Sequence, residues 1–211
     1  MPVPPLILLA LGLAPGLFWL WRIYMRRRGR LDPKGLVLQT FFVGVGSAVP
    51  VMIVGYAVAG GADLNLAGAN SPATAAMFAF VVAGLVEETA KLLVVRLSVY
   101  KTTYFNGPMD GLVFAAAAAL GFASIENVMY MAQYGAGVIV LRGILSTLGH
   151  VLFASWWGFA LGHAKRSTQS GAAAGVVVLG GLAFAVVAHG LFDYPLMAHG
   201  AGGFAGALVV F

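Results

Sequence analysis

The sequence predicts an all-α, polytopic transmembrane helical bundle of about six to seven spans, and two observations carry this prediction. Of the 211 residues, 61% are hydrophobic and only 9% are charged, whereas a soluble domain carries roughly 25% charged residues. The apolar residues also gather into runs of about 20 or more, the length that crosses a bilayer core. Little chain remains for a soluble domain, so we expect residues 1–211 to form a single integral membrane domain in the cell membrane.

Six apolar runs are separated by short polar or glycine-rich stretches. They cover about residues 4–25, 35–60, 73–97, 109–132, 138–163 and 171–196. The first run lacks a basic region before it and a convincing cleavage site, which favours a retained span. The last segment, 198–211, is rich in glycine and short for a crossing, so we expect a truncated or re-entrant seventh segment.

The basic residues predict the orientation of the chain. Lys and Arg follow the first, third and fifth runs, at 26–34, at Lys101 and at 165–166. The stretches 61–72 and 133–137, after the second and fourth runs, contain neither. Because cytoplasmic loops are enriched in Lys and Arg, this alternation places the N-terminus outside.

Composition also excludes several classes of function. The formal net charge is +5, but the basic residues lie where topological anchors are expected, and no exposed aromatic or polar domain accompanies them. Nucleic acid is therefore not expected as a partner. Cysteine is absent, which excludes disulfides, thiolate metal ligands and a cysteine nucleophile. Small-residue pairs such as Gly12/Gly16 and Gly158/Gly162 predict close helix packing inside one bundle.

Ionisable side chains occur within the predicted spans, where each carboxylate or Lys costs about 2.5–3.5 kcal/mol near the bilayer centre. In chain order they are Glu87, Glu88, Lys91, Glu126, His150, His189 and Asp193. Such a cost persists only where the groups satisfy one another and serve a purpose, so a functional site is predicted. Arg142, near the outer end of its run, is instead expected to snorkel to the interface.

Helical spacing shows how these groups can meet. Lys91 lies four residues after Glu87 and three after Glu88, so it can pair with either carboxylate. His189 and Asp193 are four apart, so Asp193 can hold one imidazole nitrogen while the other faces the site. At about 1.5 Å per residue from the basic ends, one cluster extends from mid-membrane toward the outer leaflet.

Three classes of function can use such a cluster. Intramembrane Glu and His chains occur in proton- or ion-coupled transporters, although no internal repeat is evident here. A non-catalytic, chaperone-like membrane binder would tolerate loss of one of the paired groups, and none is missing. A hydrolase would use a carboxylate to activate water and an imidazole to assist.

Four stretches within about 73–196 resemble the motifs of one protein family. They are Glu-Glu-Thr-Ala-Lys at 87–91, Gly-Phe-Ala-Ser-Ile-Glu-Asn-Val-Met-Tyr at 121–130, His150, and His-Gly-Leu-Phe-Asp at 189–193. In this order, each on its own span, they resemble the PrsW family of intramembrane proteases, related to the CAAX prenyl endopeptidases and bacteriocin-processing proteins. The chain differs from the CAAX enzymes at Glu126, where they carry His, and at Lys91, where they carry Arg. Its C-terminus is also short for the family.

The resemblance implies hydrolysis of a peptide bond in or near the membrane span of a single-span protein, such as an anti-sigma factor. We expect Glu87 to activate water, with Glu88 and Lys91 setting its charge state. His189, oriented by Asp193, is expected to donate to the oxyanion or the leaving group.

Glu126 and His150 are expected to complete a water site or a metal site. Together with Glu88 and His189 they form a set of ligand types that suits zinc. No His-Glu-x-x-His spacing fixes two ligands on one helix, however. The cofactor is therefore either none or a divalent metal such as zinc.

Overall fold

The computed structural model describes residues 3–26, 33–61, 71–167 and 171–199, and this part of the chain forms six helices without strands. They are α1 (Pro5–Arg26), α2 (Lys34–Gly61), α3 (72–98), α4 (Pro108–Tyr134), α5 (Ala136–Arg166) and α6 (Ala172–His199). The predicted all-α bundle is confirmed, and the six helices match the six apolar runs. The predicted seventh segment lies almost wholly outside the described residues.

Five helices, α1, α2, α4, α5 and α6, are long and apolar enough to cross a membrane. The remaining helix, α3, is continuous over residues 72–98 but changes its hydrogen-bonding pattern twice. It begins as α-helix at Pro72–Met77, widens into π-type turns at Phe78–Glu87, and returns to α-helix at Glu88–Ser98. Such wider turns are rare and frequently lie at functional sites. In this chain they end at the pair of glutamates.

Capping residues explain where α3 and α4 begin. The Ser71 hydroxyl accepts a hydrogen bond from the Thr74 amide at 3.1 Å, and Pro72 occupies the first turn. At the start of α4, the Asp110 carboxylate accepts a hydrogen bond from the Asn106 amide at 2.7 Å. Gly135, at a φ of 91°, ends α4 in a conformation that glycine adopts without strain.

The centre of the bundle is α4. In the most apolar 18-residue stretch of α4, 72% is buried inside the bundle. The corresponding share is at most 28% in the other four apolar helices, whose remaining surface suits lipid. Small residues allow neighbours to approach closely: a Cβ at Gly111 would lie 2.0 Å from the Gly158 carbonyl oxygen, and one at Gly121 would contact Phe41. The predicted packing role is confirmed for both glycine pairs, since Gly12/Gly16 and Gly158/Gly162 all face α4 or the residues just before it.

The other helices are arranged so that the four carrying ionisable residues become neighbours. Around α4 pack α1, α2 and α5, and α6 packs against both α5 and the π-type part of α3. The last part of α3, Glu88–Ser98, contacts α2, α4, α5 and α6. The apolar core of this assembly contains Phe41, Phe114, Leu120 and Trp157.

The basic ends of α3 and α5 lie at one end of the bundle. The Lys165 ammonium donates to the Tyr100 carbonyl at 2.9 Å and lies 4.7 Å from the centre of the Tyr100 ring. This agrees with the expected alternation of charged loops. The orientation of the N-terminus stays a prediction.

Candidate active site

The innermost group of the site is built around Lys91, whose side chain is fully buried. Its ammonium donates to Glu87 Oε2 at 3.1 Å and to Glu88 Oε1 at 2.8 Å, as the helical spacing predicted. It also lies 2.9 Å from His150 Nδ1 and 4.3 Å from the centre of the Phe122 ring. Lys91 therefore connects α3 to α5 and neutralises part of the glutamate pair.

The two adjacent glutamates have different surroundings. Glu88 is fully buried; its Oε1 contacts Lys91 and, at 3.0 Å, His189 Nδ1, while its Oε2 accepts from Trp157 Nε1 at 2.9 Å. Both oxygens of Glu88 are thus occupied by protein donors. The described polar contacts of Glu87, in contrast, all use Oε2. Glu88 therefore holds the neighbouring side chains in place, whereas Oε1 of Glu87 can take a proton.

His189 lies between three carboxylates. Its Nδ1 faces Glu88, and its Nε2 lies 3.4 Å from Asp193 Oδ2 and 3.9 Å from Glu87 Oε2. The Asp193 contact follows the predicted four-residue spacing. The shorter contact, to Glu88, joins residues 101 positions apart and could not be inferred from spacing.

Aromatic side chains hold the two imidazoles in fixed orientations. The His189 ring stacks on Phe153, with centroids 4.6 Å apart. The His150 and His189 rings meet edge to face at 5.0 Å. Because stacked and edge-to-face contacts restrict ring rotation, the nitrogens of both histidines keep defined directions.

A second group of charges surrounds Glu126 on α4. Its Oε2 lies 2.7 Å from His150 Nε2 and 3.2 Å from Arg142 Nη2. The expectation that Arg142 snorkels to the interface is wrong: the side chain turns into the bundle and lies 3.8 Å from the Tyr130 ring centre. Arg142 is the first residue of a short π-type segment, Arg142–Ser146, and its guanidinium is held by Asn127 and Glu126 of α4.

Exposure divides the site into a closed side and an open side. The Glu88 and Lys91 side chains are 0% exposed, whereas those of Arg142, Glu126 and Asp193 are 17%, 18% and 20% exposed. Glu87, at 9%, lies between the two groups. The cluster is therefore most accessible from the side of Arg142, Glu126 and Asp193.

The formal charges of the cluster do not balance. Four carboxylates face only two permanent cations, Lys91 and Arg142. The carboxylates are Glu87, Glu88, Glu126 and Asp193. With neutral imidazoles the deficit is two negative charges, which two protons or one divalent cation would cancel. Unbalanced buried charge is costly, so the cluster is suited to bind one or the other.

One set of donors has the spacing of a metal site. Glu87, His150 and His189, all buried, each offer one ligand atom within 4.8 Å of the others. Their chemistry suits zinc. The set predicted from the sequence contains Glu88 and Glu126 in place of Glu87, and it stays a prediction. The closed hydrogen bonding of Glu88 favours Glu87 as the glutamate of α3 nearest to a bound ion.

Sequence reasoning missed two residues that this geometry brings to the site. Trp157 lies seven residues, or about two turns, after His150 on α5, so helical periodicity could have placed it on the same face. Arg142 gave no such signal, because its contacts with Glu126 and Asn127 depend on how α5 packs on α4. The seven site residues that were predicted from the sequence all lie within the cluster.

Comparison with known proteins relates this arrangement to one family. The sequence model of a family described as "PrsW family intramembrane metalloprotease" matches residues 32–211. Curated relatives named "Protease PrsW" include those of Geobacillus kaustophilus, 31% identical over 90% of this chain and 80% of the relative, and Bacillus subtilis, 29% identical over 90% and 83%. That of Oceanobacillus iheyensis is 31% identical over 78% of this chain and 72% of the relative. No solved structure gives a significant match.

Proposed function

The chain belongs to the PrsW family of intramembrane proteases, and on this premise we propose that it cleaves a single-span membrane protein in or near its transmembrane segment. It is a multi-pass membrane protease, and the resemblance seen in its motifs is confirmed. An anti-sigma-factor-like regulator is the proposed substrate class. The family match favours a protease over a transporter, and the presence of all the predicted site residues in one cluster favours it over a non-catalytic relative.

One observation carries the proposed mechanism. Glu87, His150 and His189, from three different helices, place their donor atoms within 4.8 Å of one another inside the bundle. A base and a proton donor are thereby assembled in one place, away from bulk water. We propose that the site opens toward the outer leaflet, as the lengths of the spans predict.

We assign water activation to Glu87. Its carboxylate takes one proton from water, and the resulting hydroxide adds to the carbonyl carbon of the substrate bond. Lys91, which donates to Oε2 of this carboxylate, prevents it from sharing a proton with Glu88. Glu88 is held by Lys91, His189 and Trp157, and so acts through its neighbours.

His189 is placed to assist the later steps. Glu88 and Asp193 flank its two nitrogens at 3.0 and 3.4 Å, which favours a protonated ring directed toward the open side. An Nε2–H would donate to the oxyanion of the tetrahedral intermediate. When the carbon–nitrogen bond breaks, the leaving amine takes a proton from Glu87 or His189, and the carboxyl product is released.

A divalent metal is compatible with the donor set but is not required by it. Glu87, His150 and His189 would hold the ion, which when bound would polarise the carbonyl and acidify its water. The hydrogen bonds around His150 instead favour a ring that bridges Lys91 and Glu126. An ammonium can only donate, so Nδ1 accepts from Lys91 and Nε2 carries the proton directed at Glu126.

Purified protein with a panel of single-span membrane proteins, tagged on both sides, tests this proposal. We expect wild type to cleave at least one of them, and both Glu87→Gln and His189→Ala to abolish cleavage. His163→Ala, an exposed histidine at the basic end of α5, is the matched control and should cleave as wild type does. Unchanged cleavage by Glu87→Gln or His189→Ala would contradict the assignment. Loss of cleavage with a chelator, restored by zinc, would show that metal is needed.

A further inference from the structure

We propose that Arg142 is a positioning residue of the active site, which fixes the Glu126 carboxylate beside His150. Its Nη2 donates to Glu126 Oε2 at 3.2 Å, the same oxygen that lies 2.7 Å from His150 Nε2. Its Nε donates to Asn127 Oδ1 at 3.0 Å. The guanidinium thus holds two consecutive side chains of α4 at once. This inference rests on the proposed role of Glu126 in the catalytic centre.

A closed ring of hydrogen bonds fixes the direction of Arg142. Asn127, which accepts from the guanidinium, donates through Nδ2 to Thr147 Oγ1 at 3.1 Å. The Thr147 hydroxyl in turn donates to the Arg142 carbonyl at 2.8 Å. Asn127 and Thr147 are both fully buried. Since each buried member has its partner, the ring holds Arg142 in place before any substrate arrives.

The backbone that carries Arg142 is also held from outside the site. Trp19 on α1 donates through Nε1 to the Gly143 carbonyl at 2.9 Å. At Gly143 an added Cβ would lie 3.1 Å from Pro15, so α1 packs directly on this turn. The first helix contributes none of the catalytic groups. It therefore supports the site through Arg142, the cation that pairs with Glu126.

Glu126 needs this support because of the charges around it. Lys91 is already bonded to Glu87, Glu88 and His150, so Arg142 is the remaining permanent cation of the site. Without it the deficit of the cluster rises from two negative charges to three. Glu126 would then take up a proton or turn toward the open side, and His150 would lose the acceptor that orients its Nε2.

The role is tested by kinetics on a substrate that wild type cleaves. Arg142→Gln should lower kcat at least tenfold while KM stays within threefold, because the change misplaces a carboxylate without removing substrate contacts. Arg142→Lys, which keeps the charge but loses the planar fork, should recover part of kcat. Arg96→Gln, an exposed arginine of α3 at the basic end, is the matched control and should match wild type. A kcat of Arg142→Gln within threefold of wild type, or a loss equal to the loss of folded protein, would overturn the proposal.

A second measurement needs no substrate. Apparent Tm is compared for wild type, Arg142→Gln, Glu126→Gln and the double variant. Arg142→Gln should lower Tm, and adding Glu126→Gln should restore part of it, because the unpaired carboxylate is gone. Strictly additive shifts would overturn the contact. If wild type cleaves no single-span protein, the proposed substrate class fails, and this cycle still decides whether Arg142 holds Glu126.

Discussion

The closed and open sides of the active site use similar residues for different purposes. On the closed side, Glu88 and Lys91 are fully buried and bonded to partners on three helices. On the open side, Glu126 and Asp193 are about one-fifth exposed, and each lies within 3.4 Å of a histidine nitrogen. The closed side is thus a fully bonded ion cluster that joins three helices, whereas the carboxylates of the open side each face a histidine that they can orient.

Removing Lys91 is the largest disturbance of the closed side. Lys91→Met leaves two adjacent carboxylates without their shared cation, so we expect no detectable cleavage. We also expect a loss of about 3–5 kcal/mol of stability, because breaking a buried ion pair strands its partner. Lys165→Met, at the bundle end, should change neither quantity by comparison. Thermal unfolding and cleavage assays on the two variants check this. A Lys91→Met variant with wild-type stability would show that the cluster does not hold the helices together.

Glu126→Gln tests the open side. The amide keeps the shape of the side chain but removes the charge that His150 Nε2 and Arg142 face. We expect kcat to fall about 100-fold, within the range for a group that assists proton transfer. The apparent Tm should change far less than in Lys91→Met. Equal losses of Tm in the two variants would remove the distinction between the two sides.

Asp193→Asn should have a smaller effect. Asp193 lies 3.4 Å from His189 Nε2, whereas Glu88 lies 3.0 Å from Nδ1 and remains in the variant. With one of two carboxylates retained, His189 keeps its orientation, and we expect kcat to fall about tenfold. Steady-state kinetics of wild type and Asp193→Asn on the same substrate would check the number. A loss as large as that of Glu126→Gln would assign Asp193 a direct part in the reaction.

Trp157→Phe should have the smallest effect on catalysis. The change removes the 2.9 Å hydrogen bond to Glu88 Oε2 but keeps an aromatic ring in the core. We expect a loss of about 1.5–3 kcal/mol of stability, the usual contribution of a hydrogen bond to a charged group. The kcat of the folded protein should stay within about threefold. Trp156→Phe, which faces away from the core, supplies the control.

Much of this site can be predicted from the sequence, because ionisable residues are rare in membrane-spanning segments. Composition alone predicts the spans, and the cost of Glu87, Glu88 and Lys91 in an apolar run predicts a site. Spacing of three and four residues correctly paired Lys91 with both glutamates and His189 with Asp193. These contacts lie within single helices, where sequence separation determines distance.

Contacts between helices could not be predicted in the same way. The approach of His189 to Glu88, and of Arg142 to Glu126, depends on how α3, α4, α5 and α6 pack. Arg142 lies near the outer end of its apolar run, where snorkelling is the usual expectation, and only the packing of α5 on α4 brings it to Glu126 and Asn127. Glu87 was already the expected reactive carboxylate, and the hydrogen bond from Trp157 to Glu88 adds a physical reason for that choice.

The central claim is that Glu87 activates the water that cleaves a peptide bond in or near a transmembrane segment. Cleavage of a single-span substrate in water enriched in oxygen-18, with products identified by mass spectrometry, tests it most directly. We predict one new carboxyl terminus in or near the span, carrying one oxygen-18 atom from the solvent, and no such product with Glu87→Gln. The same labelled product at the same rate with Glu87→Gln would contradict the claim.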